Sequence, residues 1–164
     1  MKISKIAFIL IIFRAQQCFT ENTFAMMFGM YVGLLAILAI PSILNVLVHT
    51  KKSSSPLTAY KRYMRTIFHT LVWFRYDLKT GTKAWKSIEA VRKFHFSASK
   101  SAANAHVGMI SQKDLAITQF GFMGFIVKNK KQLGIQCNDN DTMAFIHFWR
   151  VLGNLIGIRD EYVD

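Results

Sequence analysis

A run of 25 residues without a charge, residues 24–48, constrains this chain more than any other feature of its sequence. As one α-helix the run would be about 37 Å long, enough to cross a bilayer with some tilt. Pro41 and Asn45 interrupt its end, and Gly29 and Gly33 form a small-xxx-small pair within it, which lets another helix approach closely. Since a helix in a protein core is also apolar on all sides, the run predicts either a membrane-spanning helix or a buried helix of an all-α protein.

The positive charge is concentrated directly after this run. The formal net charge is +12, and residues 51–100 alone carry +10, from twelve Lys and Arg against Asp77 and Glu89. No nucleic-acid recognition motif accompanies this block, so we expect no nucleic-acid partner. A basic block beside an apolar run is typical of a membrane surface, so we expect membrane lipid as a partner. If the apolar run spans a bilayer, Lys51 and Lys52 place the downstream chain in the cytosol.

The first residues resemble a targeting segment. Lys2 and Lys5 precede eight apolar residues, 6–13, and Arg14 follows them. This is the order of a signal peptide, although the apolar stretch is short and no small-x-small cleavage site follows it. Residues 1–20 are therefore interpreted as a signal-like or anchor leader.

The rest of the chain predicts helices separated by short breaks. They cover residues 59–76, 83–105, 115–127 and about 139–157. Thr58 is the expected N-cap of the first, and Ser111 and Asp114 resemble a capping box before the third. Gly121 and Gly124 inside the third helix cost about 1 kcal/mol each relative to alanine, which predicts close contact with another backbone or a ligand. No alternating strand pattern of useful length occurs, so the fold class is all-α.

One face of the predicted helix 83–105 consists of small and apolar residues around a single histidine. Its positions step by three and four residues: Ala84, Ile88, Val91, His95, Ala98 and Ala102. A lone histidine on an apolar face is usually a core residue. Ala98 and Ala102 nevertheless leave room for a flat ligand such as haem, which needs an axial imidazole, apolar walls and basic residues for its propionates. Arg62 and Arg65 could supply these basic residues, although basic residues along one face of a helix are more often simply exposed to solvent.

The signatures of common enzyme and zinc sites are absent from the sequence. There is no HExxH, no CxxC pair, no GxSxG and no P-loop, and acidic residues are few for a carboxylate metal site or a glycosidase pair. The only cysteines, Cys18 and Cys137, exclude a disulfide-rich mini-domain and a cysteine zinc site. Cys137 is expected to be a free thiol.

Three other polar features carry weaker expectations. His147 and Arg150 share a helix face and are interpreted as helix-packing residues rather than pocket residues. His69 is expected to fill the polar face of its helix. Asn140 begins an N-glycosylation sequence, which matters only if this part of the chain is lumenal, and the positive-inside rule disfavours that location.

Several segments together resemble one family. The sequence VRKFH over residues 91–95 is similar to the VRxxH signature of the group that contains rubber oxygenase, latex clearing protein and MpaB-like oxygenases. The supporting segments are SSPLTAYKRY over 54–63, TQFGFMGF over 118–125 and HFWRVLG over 147–153. Each segment is weak alone, but their order and spacing are fairly specific. The resemblance runs from about residue 28 to the end and is strongest for animal members, insect ones especially.

This resemblance implies an all-helical, globin-like core that holds one haem b. Residues 55–164 would then be a partial oxygenase-like catalytic domain. His95 matches the proximal iron ligand, and Arg92, Ala98 and Ala102 lie beside it as further residues of the cofactor site.

The resemblance also implies a catalytic cluster and a reaction. Arg62, Arg65 and Thr66 match an Arg-x-x-Lys-Thr cluster near the distal side of the haem, with Arg65 in the place of the lysine. Characterised relatives use O2 to cleave double bonds of long isoprenoid chains, and one relative bound to the endoplasmic reticulum shortens a farnesyl chain. The expected partners are therefore O2 and a hydrophobic, isoprenoid substrate, with residues 24–48 and 120–125 as walls of its access channel.

The chain departs from the family pattern in two places. Rubber enzymes carry a glutamate upstream of the arginine cluster as a proposed base, and no acid occurs around residues 45–48. The chain also stops at residues 160–164, where relatives continue with further helices, which implies a truncated member. Two alternatives stay open: a small single-pass membrane protein with a basic membrane-facing segment, and an inactive truncated member without haem.

Overall fold

Helices form the whole regular structure of the described part of this chain. The computed structural model describes residues 5–162, and within them it contains seven α-helices, two three-residue 3-10 helices and no strand. This confirms the all-α prediction. The helices are α1 (Lys5–Glu21), α2 (Thr23–Ala36), α3 (Pro41–His49), α4 (Pro56–Arg75), α5 (Lys83–Asn104), α6 (Gln112–Lys128) and α7 (Asp139–Ile156), and the 3-10 helices are Ile37–Ala39 and Asp160–Tyr162.

The single helix predicted over residues 24–48 is wrong, because the structure divides it into α2, a 3-10 turn and α3. Pro41 is the first residue of α3, and Ile40 before it has an extended backbone with φ −95° and ψ 113°. A proline disfavours helical geometry in the residue that precedes it and supplies no N–H, so the preceding helix ends there.

Membrane-spanning length is not reached by any single helix of the described residues. The helix pair Ile6–Glu21 and Thr23–Ala39 satisfies the length and composition requirement together, but the two parts meet at an angle of 93°.

Capping side chains set the starts of α4 and α6. Ser55 is the N-cap of α4, and its side chain accepts a hydrogen bond from the backbone N–H of Thr58. The hydroxyl of Thr58 accepts one from the backbone N–H of Ser55 in return. Thr58 is therefore the third residue of the helix and not the predicted N-cap. Ser111 and Asp114 form the predicted capping box of α6.

The core is centred on the aromatic ring of Phe74 in α4. This ring stacks on Phe19 of α1 with 4.0 Å between ring centroids and on Phe148 of α7 with 4.2 Å. Trp149 of α7 meets the same ring edge-on and also stacks against Phe122 of α6 at 5.1 Å. All five rings are buried, so one aromatic cluster joins four helices.

Two glycines let α2 and α6 cross at backbone contact distance. A Cβ atom built on Gly33 would overlap the carbonyl oxygen of Gly121. This confirms the close approach that the sequence predicted for the small-xxx-small pair and for Gly121. Gly124 differs, because the ring of Phe120 from its own helix covers it instead of another backbone.

A disulfide joins Cys18 at the end of α1 to Cys137 just before α7, so the expectation of a free thiol at Cys137 is wrong. The two Cα atoms lie 6.0 Å apart, within the range that a disulfide spans. Asn22 holds the two segments together, since its amide donates to the carbonyl of Cys18 and accepts from the N–H of Gln136.

The disulfide also tests the alternative that this chain is a single-pass membrane protein with its span over residues 24–48. A bilayer span over residues 24–48 alone would put Cys18 and Cys137 on opposite sides of the membrane. Because the two sulfurs are bonded, that topology is incompatible with the structure, and the cytosolic placement deduced from Lys51 and Lys52 loses its premise.

We expect Gly33→Ala to destabilise the protein by about 1–3 kcal/mol, because the new methyl forces two backbones apart in a packed core. Gly29→Ala is the matched control on the same helix. Its Cβ would meet side chains instead of a backbone, at 2.7 Å from Cγ1 of Ile126 and 3.2 Å from Cδ1 of Leu133, so its cost should be smaller. Urea unfolding of both variants measures the difference, and equal stabilities of Gly33→Ala and wild type would contradict the crossing.

Reduction of the disulfide should lower the free energy of unfolding by about 2–5 kcal/mol, since the bond closes a loop between residues 119 positions apart. Thermal unfolding with and without dithiothreitol tests this. The double variant Cys18→Ser and Cys137→Ser should unfold at the same temperature in both conditions, and an equal response of variant and wild type to reductant would count against the bond.

Candidate functional site

The candidate site is built on the helical hairpin of α4 and α5. The two helices pack together and are joined by a short connection between Arg75 and Lys83. Ser87 of α5 joins them through two hydrogen bonds. Its hydroxyl accepts one from the indole N–H of Trp73 at 2.9 Å and forms the other with Nδ1 of His69 at 2.7 Å. This network fixes which turns of the two helices face each other.

A groove of about 650 Å³ lies along this hairpin. Four of its lining residues are cationic and none is acidic. The lining residues are Tyr60, Lys61, Met64, Arg65, Phe68, His69, Val72, Lys83, Lys86 and Ser87. The groove therefore combines an apolar wall with a positive rim.

His69, which the sequence assigns to the polar face of its helix, is half-buried and lines the groove. Burial lowers the pKa of its imidazole below 6.5, and the positive charge of Arg65 lowers it further. The ring is consequently neutral at pH 7. Sequence reasoning missed its partnership with Ser87, because the two residues are 18 positions apart and meet only through the register of the hairpin.

His95 lies two turns beyond Ser87 on α5. Its Nδ1 atom is buried and has no hydrogen-bond partner within the described part of the chain. Burial lowers the pKa of this imidazole below 6.5, so the ring is neutral. A buried polar nitrogen without a partner is uncommon in proteins, and a neutral imidazole is the form that binds metals.

The start of the predicted cluster on α4 lies at about the level of His95 along the hairpin. Counted from the His69–Ser87 pair, Arg62 is about 10 Å back along α4 and His95 is about 12 Å forward along α5, so an antiparallel hairpin brings them to one level. The Nε atom of Arg62 is buried without a hydrogen-bond partner in the described residues, and its guanidinium lies over the ring of Tyr63 at 4.3 Å.

The other two members of the cluster have different surroundings. Arg65 is exposed and lines the groove. The hydroxyl of Thr66 donates to the backbone carbonyl of Arg62 at 3.2 Å, so its hydrogen is used within the helix. The three residues therefore face different environments although they are close in sequence.

The residues expected to flank a cofactor are spread along α5. Ala102 is fully buried, Ala98 is partly exposed and Arg92 is exposed. The methyl group of Ala102 is thus already covered by this chain, whereas Ala98 remains accessible. Neither His95 nor Ala98 lines the groove or the small cavity beside the disulfide.

The segments expected to form the walls of the substrate channel, residues 24–48 and 120–125, are largely packed against other helices. α2 and α6 pack along each other, and Phe122 is buried between α6 and α7. Phe120 is 56% exposed and remains free to meet a ligand.

His147 belongs to a different part of the molecule. Its ring lies edge-on to Phe8 of α1, with 6.1 Å between centroids. Burial and, to a smaller extent, Arg150 lower the pKa of His147 below 6.5. The contact supports the interpretation of His147 as a helix-packing residue between α1 and α7.

No cluster of three or more His, Cys, Asp or Glu residues that could hold a metal ion occurs in residues 5–162. A haem iron needs one or two axial ligands from the protein, because the porphyrin supplies four nitrogens. The single imidazole of His95 is a suitable donor for such a group.

Comparison with known proteins identifies one family. Residues 17–164 match the family model described as ER-bound oxygenase mpaB/B'/Rubber oxygenase, catalytic domain. A rubber oxygenase from Streptomyces sp. (strain K30) is 35% identical over 54 residues, which is 33% of this chain and 13% of that relative. No solved structure matches significantly, so the globin-like arrangement stays a prediction.

Three partly buried histidines predict how stability depends on pH. The folded-state pKa values of His69, His95 and His147 are below 6.5, so the unfolded chain binds more protons as the pH falls. The stability present above pH 6.5 should decrease as the pH falls through the folded-state pKa values. Urea unfolding between pH 7.5 and pH 5, each about one unit or more from 6.5, measures this slope.

The variant His95→Leu should show a shallower decrease, because one of the titrating groups is removed. His106→Gln, which changes an exposed histidine, should keep the wild-type slope. A wild-type free energy of unfolding that rises or stays constant on acidification would show that burial does not suppress protonation of these rings.

Proposed function

Because the chain belongs to the MpaB and rubber oxygenase catalytic-domain family, we propose that it is a haem b-dependent oxygenase that cleaves a C=C bond of a hydrophobic, isoprenoid substrate. One observation carries the haem assignment. The imidazole of His95 is neutral, and its buried Nδ1 atom has no partner in the described residues. These properties suit a ligand of haem iron. The Nε2 atom of His147 is also buried without a partner in the described residues, and the match of residues 91–95 to the VRxxH signature favours His95.

The residues around His95 suggest how the group would be held. His95 would bind the iron, and Arg62 and Arg92 would pair with the propionates. Ala98, one turn after His95, would leave room for the porphyrin on this face of α5, whereas Ala102 is already buried by the chain itself. When bound, haem b supplies the redox chemistry that activates O2.

The groove between α4 and α5 would receive the substrate. Met64, Phe68 and Val72 offer apolar contacts to a hydrocarbon chain. Arg65 places a cation at the same groove and would orient a polar end of the substrate. In the proposed overall reaction both atoms of O2 are added to the two carbons of one double bond, which gives two carbonyl products.

Thr66 would act as a positioning residue. Its hydroxyl bonds the backbone carbonyl of Arg62 and so stabilises the turn of α4 that carries the arginine. The neutral imidazole of His69 is a base that lines the groove, in a chain where no acid occurs around residues 45–48.

We also propose that the protein is associated with the membrane of the endoplasmic reticulum. The support is an exposed apolar surface on α1 and α2 together with the basic residues of 51–100. Its members are Ile6, Ile9, Leu10 and Phe13 on α1 and Phe24 and Phe28 on α2, each at least 49% exposed. Aliphatic and aromatic residues exposed in this number are typical of a surface that binds lipid or another apolar partner.

The stretch that matches the rubber oxygenase covers only 13% of that relative. An inactive member without haem is the alternative function, and haem binding distinguishes the two.

Titration of the purified protein with haemin should produce a Soret band that saturates at one haem per chain, because the imidazole of His95 would bind the iron. His95→Ala should lose this band, whereas His106→Ala, at an exposed histidine outside the site, should retain it. Absorption spectroscopy of the three proteins, with far-UV circular dichroism to check helix content, makes the comparison. An unchanged band in folded His95→Ala would overturn the assignment.

A further inference from the structure

Asn140 lies in the one Asn-x-Ser/Thr sequence of this chain, Asn140-Asp141-Thr142. It occupies the first turn of α7, and its side chain is exposed. The neighbouring Asp139 and Met143 side chains are exposed as well. The surface around Asn140 is thus open to a bulky modification.

The compartment of this segment follows from the disulfide. Cys137 is three residues before Asn140 and is bonded to Cys18. Disulfides form and persist in the lumen of the endoplasmic reticulum and outside the cell, and they are rare in the cytosol. The start of α7 therefore belongs in an oxidising compartment, which is also the compartment where N-glycosylation occurs.

We propose that Asn140 carries an N-linked glycan on a lumenal or extracellular face of the protein. In this transfer the side-chain amide nitrogen of Asn140 forms a bond to C1 of the first sugar and loses one proton. The donor is a lipid diphosphate-linked oligosaccharide, and the lipid diphosphate is the leaving group. No oxidant or reductant takes part.

The fold tolerates a glycan at this position. The hydrogen bonds that begin α7 use Asn138, Asp141 and Thr142, and none in the described residues uses the side chain of Asn140. The packing face of α7 consists of other residues, among them Phe145 and Phe148, which are buried. A sugar on Asn140 therefore disturbs neither the cap nor the core.

Thr142 provides matched variants for a test. Its hydroxyl donates to the carbonyl of Asn138 and accepts from the Lys130 ammonium in the folded protein. Thr142→Ser keeps the hydroxyl and the glycosylation sequence, and Thr142→Ala removes both. Asn140→Gln removes only the asparagine that would accept the glycan and leaves these hydrogen bonds intact.

The experiment translates the full chain in the presence of microsomes derived from the endoplasmic reticulum. The wild type and Thr142→Ser should show a slower band on gels that endoglycosidase H removes. Asn140→Gln and Thr142→Ala should lack it. A wild type without the shift, or a shift that persists in Asn140→Gln, overturns the proposal.

Thiol alkylation of the same samples tests the compartment separately. Wild type and Asn140→Gln should both resist alkylation until a reductant is added, which shows that the variant keeps the disulfide and that a lost band is not misfolding. Thiols that react without reductant would overturn the lumenal placement. A formed disulfide with no glycan would overturn the modification itself, and neither result bears on haem binding.

Discussion

The stacking of Phe74 against Phe19 and Phe148 is the interaction on which the rest of the fold depends. It fixes α4 against α1 and α7 at ring separations of 4.0 and 4.2 Å. Aromatic pairs of this kind contribute about 0.5–1.5 kcal/mol each beyond the area they bury. Because α5 is attached to α4 through Ser87, the position of the candidate site follows from the position of Phe74.

Two further contacts fix the helices around this aromatic cluster. The Gly33–Gly121 crossing sets the separation of α2 and α6, and the Cys18–Cys137 bond ties the end of α1 to the start of α7. Both connect segments that are far apart in sequence. The hairpin of α4 and α5, which Ser87 joins, brings His95 and Arg62 to about one level along its axis.

The local features of the fold could be predicted from the sequence, because they depend on neighbouring residues. The extent of α5, the capping box at Ser111 and the helical face that carries His95 all follow from spacing along one helix. The interruption at Pro41 is also visible in the sequence. Its physical cause is the restriction that proline places on Ile40.

Pairings between distant residues could not be predicted in the same way. Nothing in the spacing of Cys18 and Cys137 shows that they meet, and the bond between His69 and Ser87 depends on hairpin register. The same limit applies to the site, since the sequence predicts His95 as a ligand but not that its Nδ1 atom is buried without a partner.

The most direct test of His95 as the haem ligand is pulsed electron paramagnetic resonance of the haemin complex with ¹⁵N-labelled histidine. If His95 binds the iron, the wild type shows a ¹⁵N hyperfine coupling that His95→Gln removes. A coupling that persists in this variant, or none in the wild type, would exclude His95 as the ligand.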